Sequence, residues 1–345
     1  MERRSFMSRA ALLGAGAAAG SLNLLETADG ARAMGTSVGS LRFSCIVKTI
    51  NSPYWAIVLS AAKKAAKDLG VQGLKYTGGP SEADIAAEVN LVENAIAQKV
   101  DFIVCAPTDK TALNSVIKKA YSAGIKMILI DSSATTDSYQ AFLSTDNHAG
   151  GLACANALAA SIKAKHGSAA GQIAYTSFQS NVGSLGERDK GFLEGIKMYP
   201  GLQIVKHGDA GGDAAVKPIS IAADTITRFP NLVGYFGDNL QCVEGAAKAF
   251  QEKGVSQKKV SLVGFDSDDT LVAELRSGRV DALLLQDPYM MGYGGVMYGV
   301  MAALGVKTPT FVDTGATIAT TANMTSPLIA GLLSPLGKPG RHLGF

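Results

Sequence analysis

The sequence predicts an α/β protein: two doubly wound parallel-sheet lobes. Three observations carry this. Short apolar runs alternate with longer helical stretches along nearly the whole chain, as strands and covering helices do in parallel sheets. The alternation comes in two series of about equal length, with no clear sequence repeat between them. The 39 glycines suit many tight strand-to-helix turns.

The first series reads strand 42–48, helix 54–69, strand 73–77, helix 81–98, strand 101–105, helix 111–123, strand 126–130, strand 141–144 and helix 148–165. Gly70 and Gly124 close two of these helices. The 81–98 helix offers Ser81 and Asp84 as caps, with Ile85, Val89, Val92 and Ile96 at helical spacing. The second series reads strand 172–176, helix 186–198, strand 202–206, helix 216–228, strand 233–237, helix 239–253, strand 260–264, helix 268–277, strand 282–285 and helix 289–304. Segments 310–313 and 316–320 close the pattern, and the Pro- and Gly-bearing stretch 326–345 predicts a loosely ordered tail.

Bulk numbers narrow the function. The 345 residues are 47% hydrophobic and 18% charged, enough for one large core or two moderate ones. The formal charge is +3, with no long basic run beyond the extreme N-terminus, so nucleic acid is not the expected partner. Cys45, Cys105, Cys154 and Cys242 form no CxxC pair, and no His stands at metal-ligand spacing. Cys45 and Cys105 lie in apolar runs and read as buried thiols. No metal or cofactor is expected.

Residues 1–35 read as an export address. Arg3-Arg4 precedes Ser5-Phe6-Met7, an Ala/Gly-rich apolar stretch runs from Ala10 to Leu25, and Ala31-Arg32-Ala33 offers small residues at a cleavage site. The paired arginines look like a twin-arginine signal. The expectation is a periplasmic protein cleaved near Ala33, with no membrane-embedded part after cleavage.

In parallel sheets, ligands bind beyond the carboxyl ends of the strands. The residues standing there are Asn51-Ser52-Pro53-Tyr54-Trp55, Ala106-Pro107-Thr108-Asp109, Asp131-Ser132, Phe178-Gln179, Asp238-Asn239, Phe265-Asp266 and Gln286-Asp287. They mix aromatic rings with carboxylates and amides. Sugars suit that mixture: apolar C–H faces stack on rings, while hydroxyls bond to carboxylates and amides. Read singly, Trp55 is equally core or helix-start packing, Asp131 and Asp266 are caps or turn formers, and Arg188 is a solvated helix residue. Their shared placement gives them weight.

Catalysis finds little support, and an enzyme is not expected. There is no G-x-S-x-G elbow, no P-loop, and Gly183-x-x-Gly186 lacks the dinucleotide fingerprint. None of His148, His166, His207 and His342 reads as standing at a strand end beside a Ser or Cys.

Over residues from about 41 to 323 the chain resembles the periplasmic sugar-binding proteins of ABC transporters, of the ribose- and galactose-binding type. The carrying segments are Thr49 to Trp55, Ala106 to Asp109, Ser144 to Asn147 with Gly150-Gly151, Arg188 to Phe192, Gly237 to Asn239, Val263 to Asp266, and Gln286 to Pro288 with Gly292.

The resemblance implies a type I periplasmic binding protein fold with a three-strand hinge. Lobe 1 would span 40–145 plus 287–317, and lobe 2 would span 146–286 plus 318–325. It also implies ligand roles. Tyr54 and Trp55 would sandwich the sugar ring, and Ser52 would contact a hydroxyl. Asp131, Arg188, Asn239, Asp266 and Gln286 would hold hydroxyls, and Phe265 would pack beside the ring.

Three departures from the ribose type stand out: Ala106 for Asn, Ser132 for Arg, and Gly211-Gly212 for an aromatic. They imply a larger, less basic pocket than that for D-ribose. Gly79-Pro80-Ser81-Glu82 and Asp131-Ser132 are similar to relatives binding rhamnose or a furanosyl signalling molecule, and polyols and cyclitols stay open. The implied partners are a small polar ligand and ABC transporter membrane subunits, met as a monomer. The alternative is a ligand receptor for a chemoreceptor or sensor kinase. A repressor effector domain is disfavoured, because no helix-turn-helix precedes Leu41.

Overall fold

Two six-stranded sheets organise residues 37–336, the part of the chain described by the computed structural model. The expected export signal and the expected cleavage near Ala33 lie outside these residues. The first sheet holds β1 (Arg42–Thr49), β2 (Gln72–Gly79), β3 (Phe102–Cys105), β4 (Lys126–Ile130), β5 (Ala141–Ser144) and β11 (Phe311–Asp313). Its order is β11-β5-β4-β3-β1-β2, all parallel. The second holds β6 (Gly171–Ser177), β7 (Leu202–Asp209), β8 (Leu232–Gly237), β9 (Ser261–Phe265), β10 (Ala282–Leu285) and β12 (Thr317–Ala319). Its order is β12-β10-β9-β8-β6-β7, with only the β10–β12 pair antiparallel.

The two orders are the same when each sheet is counted from its own first strand. The repeat invisible in the sequence is therefore topological. In each sheet the chain starts centrally, steps outward once, then returns to build the other side. That places switch points between β1 and β3 and between β6 and β8, where loops diverge and leave a crevice.

The chain crosses between sheets three times. β5 leads into α4 (Asn147–His166), which covers the second sheet with α5 (Gly183–Ile196). β10 leads into α9 (Pro288–Ala303), which packs on α1 (Pro53–Leu69) beside the first. The third crossing joins β11 to β12. Thr317 pairs with Leu285 of the second sheet, so this crossing lies at 314–316, not after 317 as expected; Gly315 turns it at φ 82°.

Close helix contacts place one site residue. A Cβ on Gly151 would lie 2.1 Å from the Arg188 carbonyl oxygen, and one on Gly191 would lie 2.0 Å from that of His148. Only glycines let α4 and α5 approach this closely, and that approach sets where Arg188 emerges.

Two other expectations shift. The 81–98 helix starts at Ile85 as α2 (Ile85–Ala97), because the Asp84 side chain, not Ser81, caps Ala87 N. Part of the expected tail is helix α10 (Pro327–Leu333), whose buried Ile329 and flanking Leu332 and Leu333 dock on the second core. Its Pro and Gly content hid an apolar face. The remaining helices are α3 (Asn114–Ser122), α6 (Lys217–Arg228), α7 (Leu240–Glu252) and α8 (Asp269–Ser277). All four cysteines are buried and unpaired, and no helix among the described residues is long and apolar enough to cross a membrane.

Candidate functional site

Loops at the carboxyl ends of both sheets line one cavity. Lys48, Ser52, Tyr54, Trp55, Glu82 and Asp131 come from the first lobe. Ser184, Leu185, Arg188, Asn239, Leu240, Gln241 and Asp266 come from the second, and Gln286 from the middle crossing. Eight of the nine residues singled out from the sequence stand on this wall. The ninth, Phe265, does not: its ring is fully buried, 4.2 Å from the Arg188 guanidinium, and supports the arginine from behind.

Asp131 and Asp266 occupy equivalent places. Each follows the fourth strand of its sheet. Each backbone N–H bonds across to the next strand, Asp131 to Leu143 O and Asp266 to Leu284 O, at 2.9 and 2.8 Å. Each takes a left-handed backbone, φ 62° and 71°, which costs a non-glycine residue free energy. Both turns aim a carboxylate into the shared cavity.

Their electrostatics differ. Asp131 Oδ2 accepts from Lys48 Nζ at 2.9 Å and Ser132 Oγ at 2.7 Å, and Oδ1 accepts from Tyr54 OH at 3.1 Å. Burial alone would raise this carboxyl, but Lys48, then Arg188 and the Ser132 bond, hold it below the usual carboxylate range. For Asp266 burial wins: it pushes the carboxyl up despite Arg188 Nη1 at 3.9 Å and a 2.6 Å bond from Gln286 Nε2. Arg188 is fixed by Nε to Asn147 Oδ1 at 2.8 Å and Nη1 to the Asp238 carbonyl at 2.9 Å. Gln286 Oε1 is buried without a partner among the described residues. A hydroxyl donor entering the cavity would relieve that cost.

Tyr54 and Trp55 do not face each other as two plates. Their rings meet edge to face at 4.9 Å, both from the first turn of α1, and form one aromatic corner. Trp55 Nε1 donates to Glu82 Oε1 at 2.8 Å, and burial pushes the Glu82 carboxyl up. Asn239 caps α7, accepting from Cys242 N at 3.0 Å, and its Nδ2 donates to Gln241 Oε1 at 2.6 Å. Ser52 precedes α1 with no capping bond from its side chain.

Sequence reasoning missed Lys48, Glu82, Ser184, Leu185, Leu240 and Gln241. Lys48 matters most. It is 4% exposed, bonds Ser132 Oγ at 2.8 Å as well as Asp131, and lies 5.4 Å over the Trp55 ring. Ser132 therefore does not leave the wider, less basic pocket inferred from it: Lys48 fills the space and supplies the charge. A charged residue inside the apolar run 43–49 was the available signal.

The reading of the histidines also changes. His207 Nε2 lies 2.9 Å from Ser177 Oγ at the end of β6. Ser177 donates to Asp189, whose carboxyl burial pushes up to about 6. The aspartate contacts the serine and not the histidine, so the trio lacks the order of a nucleophilic relay. No cluster of metal-ligating side chains is present among the described residues.

The model of the periplasmic binding protein domain matches residues 43–307, and the chain belongs to that family. Its fold is the type I fold expected. A carbohydrate transporter solute binding protein from Agrobacterium radiobacter, solved in complex with D-arabinose, is 39% identical, with a TM-score of 0.83 over 86% of this chain and 100% of that one. An ABC transporter solute binding protein from Agrobacterium vitis with bound D-fucose is 33% identical, with a TM-score of 0.79 over 85% and 99%. A ribose import binding protein of Bacillus subtilis is 26% identical over 71% of this chain and 76% of its own length.

Proposed function

We propose that this chain is the sugar-binding component of an ABC importer. It captures one neutral monosaccharide or sugar-like polyol between its lobes and delivers it, as a monomer, to the transporter's membrane subunits. The carrying observation is the equivalent pair Asp131 and Asp266, one from each lobe, converging on one cavity. A ligand with several hydroxyls can bond both carboxylates only with the lobes together, and so couples binding to closure. Ser52, Tyr54, Trp55, Arg188, Asn239 and Gln286 complete the proposed contacts, with Lys48 holding Asp131 in place.

The charge balance selects the ligand's charge. Lys48 is paired with Asp131 and Arg188 stands near Asp266, so among the described residues no cation in the wall is free for an acid. A sugar carboxylate or phosphate would meet Asp131, Asp266 and Glu82 instead. Thermal-shift measurements should therefore show a raised melting point with D-arabinose, D-fucose, D-ribose or xylitol, and none with D-glucuronate or ribose 5-phosphate. Stabilisation by the acids alone would overturn the reading.

Residues 1–35 support export through the twin-arginine route, with cleavage near Ala33 and release into the periplasm. Replacing both Arg3 and Arg4 by Lys should leave the full-length precursor in the cytoplasm on cell fractionation. Mature protein in the periplasm would refute the route.

A further inference from the structure

The loop between β6 and α5 reaches across the cleft and grips the first lobe, through Asn181 outside the ligand cavity and through Ser184 at its wall. Asn181 Nδ2 donates to Asp109 Oδ2 at 2.5 Å and to Thr111 Oγ1 at 3.3 Å. The Asn181 carbonyl accepts from Lys110 N at 3.1 Å. Two residues on, a Cβ at Gly183 would lie 2.4 Å from Ser133 Oγ and 2.9 Å from the Ser133 carbonyl oxygen, so only glycine permits this approach. Next to it, Ser184 Oγ and Ser132 Oγ lie 2.8 Å apart, one from each lobe.

Both halves of this grip are built in advance. Asp109 is 7% exposed, and its Oδ1 is committed to Thr111 N, Thr111 Oγ1 and Ala112 N at 2.8, 2.9 and 2.8 Å. That leaves Oδ2 pointing across the cleft. Thr108, just before it, is tied to the fully buried Glu88 carboxylate through its N–H at 2.9 Å. On the other lobe, Asn181 has φ 68°, a left-handed backbone that presents side chain and carbonyl together. Every donor and acceptor belongs to the chain.

We infer that residues 181–184 form a latch holding the lobes closed through the chain's own hydrogen bonds, so that Asn181 sets ligand affinity without touching ligand. The latch raises the fraction of protein already in the binding-competent shape, and apparent affinity scales with that fraction. The inference stands whichever ligand the cleft takes.

The test needs no ligand. The four native cysteines are buried, so spin labels can be placed at Lys118→Cys on the first lobe and Lys190→Cys on the second, both exposed. Electron–electron double resonance on the sugar-free protein then reads the distance between lobes. The unaltered latch should give a substantial closed population. Asn181→Ala should lower the closed-to-open ratio roughly tenfold, the effect of one hydrogen bond to a charged group. Asn181→Gly, which tolerates the left-handed backbone and keeps the carbonyl bond to Lys110, should lie between the two. Melting temperatures should fall by no more than a few degrees, because each lobe keeps its own core. Superimposable distance distributions for all three proteins, or a wholly open protein with the latch intact, would overturn the proposal.

Discussion

Asp131→Ala is expected to weaken sugar binding by about a thousandfold while leaving the protein folded. Two losses add. The proposed hydroxyl bonds to an ionised carboxylate disappear, and bonds to charged groups contribute about 1.5–3 kcal/mol each. Lys48, 4% exposed, also loses its counter-ion and must turn towards the ligand or stay unpaired. Together these exceed about 4 kcal/mol, or three decades in Kd. Asp131→Asn is the conservative control, since asparagine tolerates φ 62° as the native residue does. It should retain the fold and still lose most of the affinity, because the charge is what Lys48 and the hydroxyls bind. Asp266→Ala should cost less, about a hundredfold, because burial already pushes that carboxyl up and Gln286 can turn to the hydroxyl it leaves. Calorimetry with the sugar giving the largest thermal shift checks the order. Wild-type affinity in Asp131→Ala would sink the site assignment.

What the sequence disclosed follows from where the physics is local. Strand ends are local: an apolar run stops and a polar residue follows, so Asp131, Asn239, Asp266 and Gln286 stood out before any fold was known. Caps are nearly as local, yet Ser81 and Asp84 both satisfied the helix-start rule, and only the bond to Ala87 N decides between them. Orientation is not local. Phe265 and Asp266 are neighbours, but the strand ends on Phe265, whose ring packs behind Arg188, and the left-handed turn at Asp266 aims the next carboxylate into the cavity. Lys48 was hidden because the run around it is apolar, and its partners Asp131 and Ser132 are 83 and 84 residues away. The likeness of the two lobes was hidden too, since strand order can repeat while side chains do not.

Lys48→Met is expected to be the most informative second substitution, because it keeps the side-chain length and removes only the ammonium. In the intact protein the Asp131 carboxyl lies below its ordinary 3.8 when folded. That group therefore adds stability above its unfolded value, and the contribution is lost as pH falls through the folded value. Without Lys48, burial is opposed by Arg188 and the hydrogen bonds alone, and the folded value should rise above the unfolded one. The sign then reverses: the buried carboxylate destabilises at neutral pH, and acidification relieves it by protonation. The variant should be about 3 kcal/mol less stable than the parent near neutral pH, the cost of leaving half of a buried ion pair. The gap should narrow as the medium is acidified towards the ordinary carboxylate range. Lys48→Arg, which keeps the charge, should show no such narrowing. Chemical denaturation across a pH series measures both. A gap between Lys48→Met and parent that stays constant with pH would mean that Lys48 packs against Trp55 without governing the charge of Asp131.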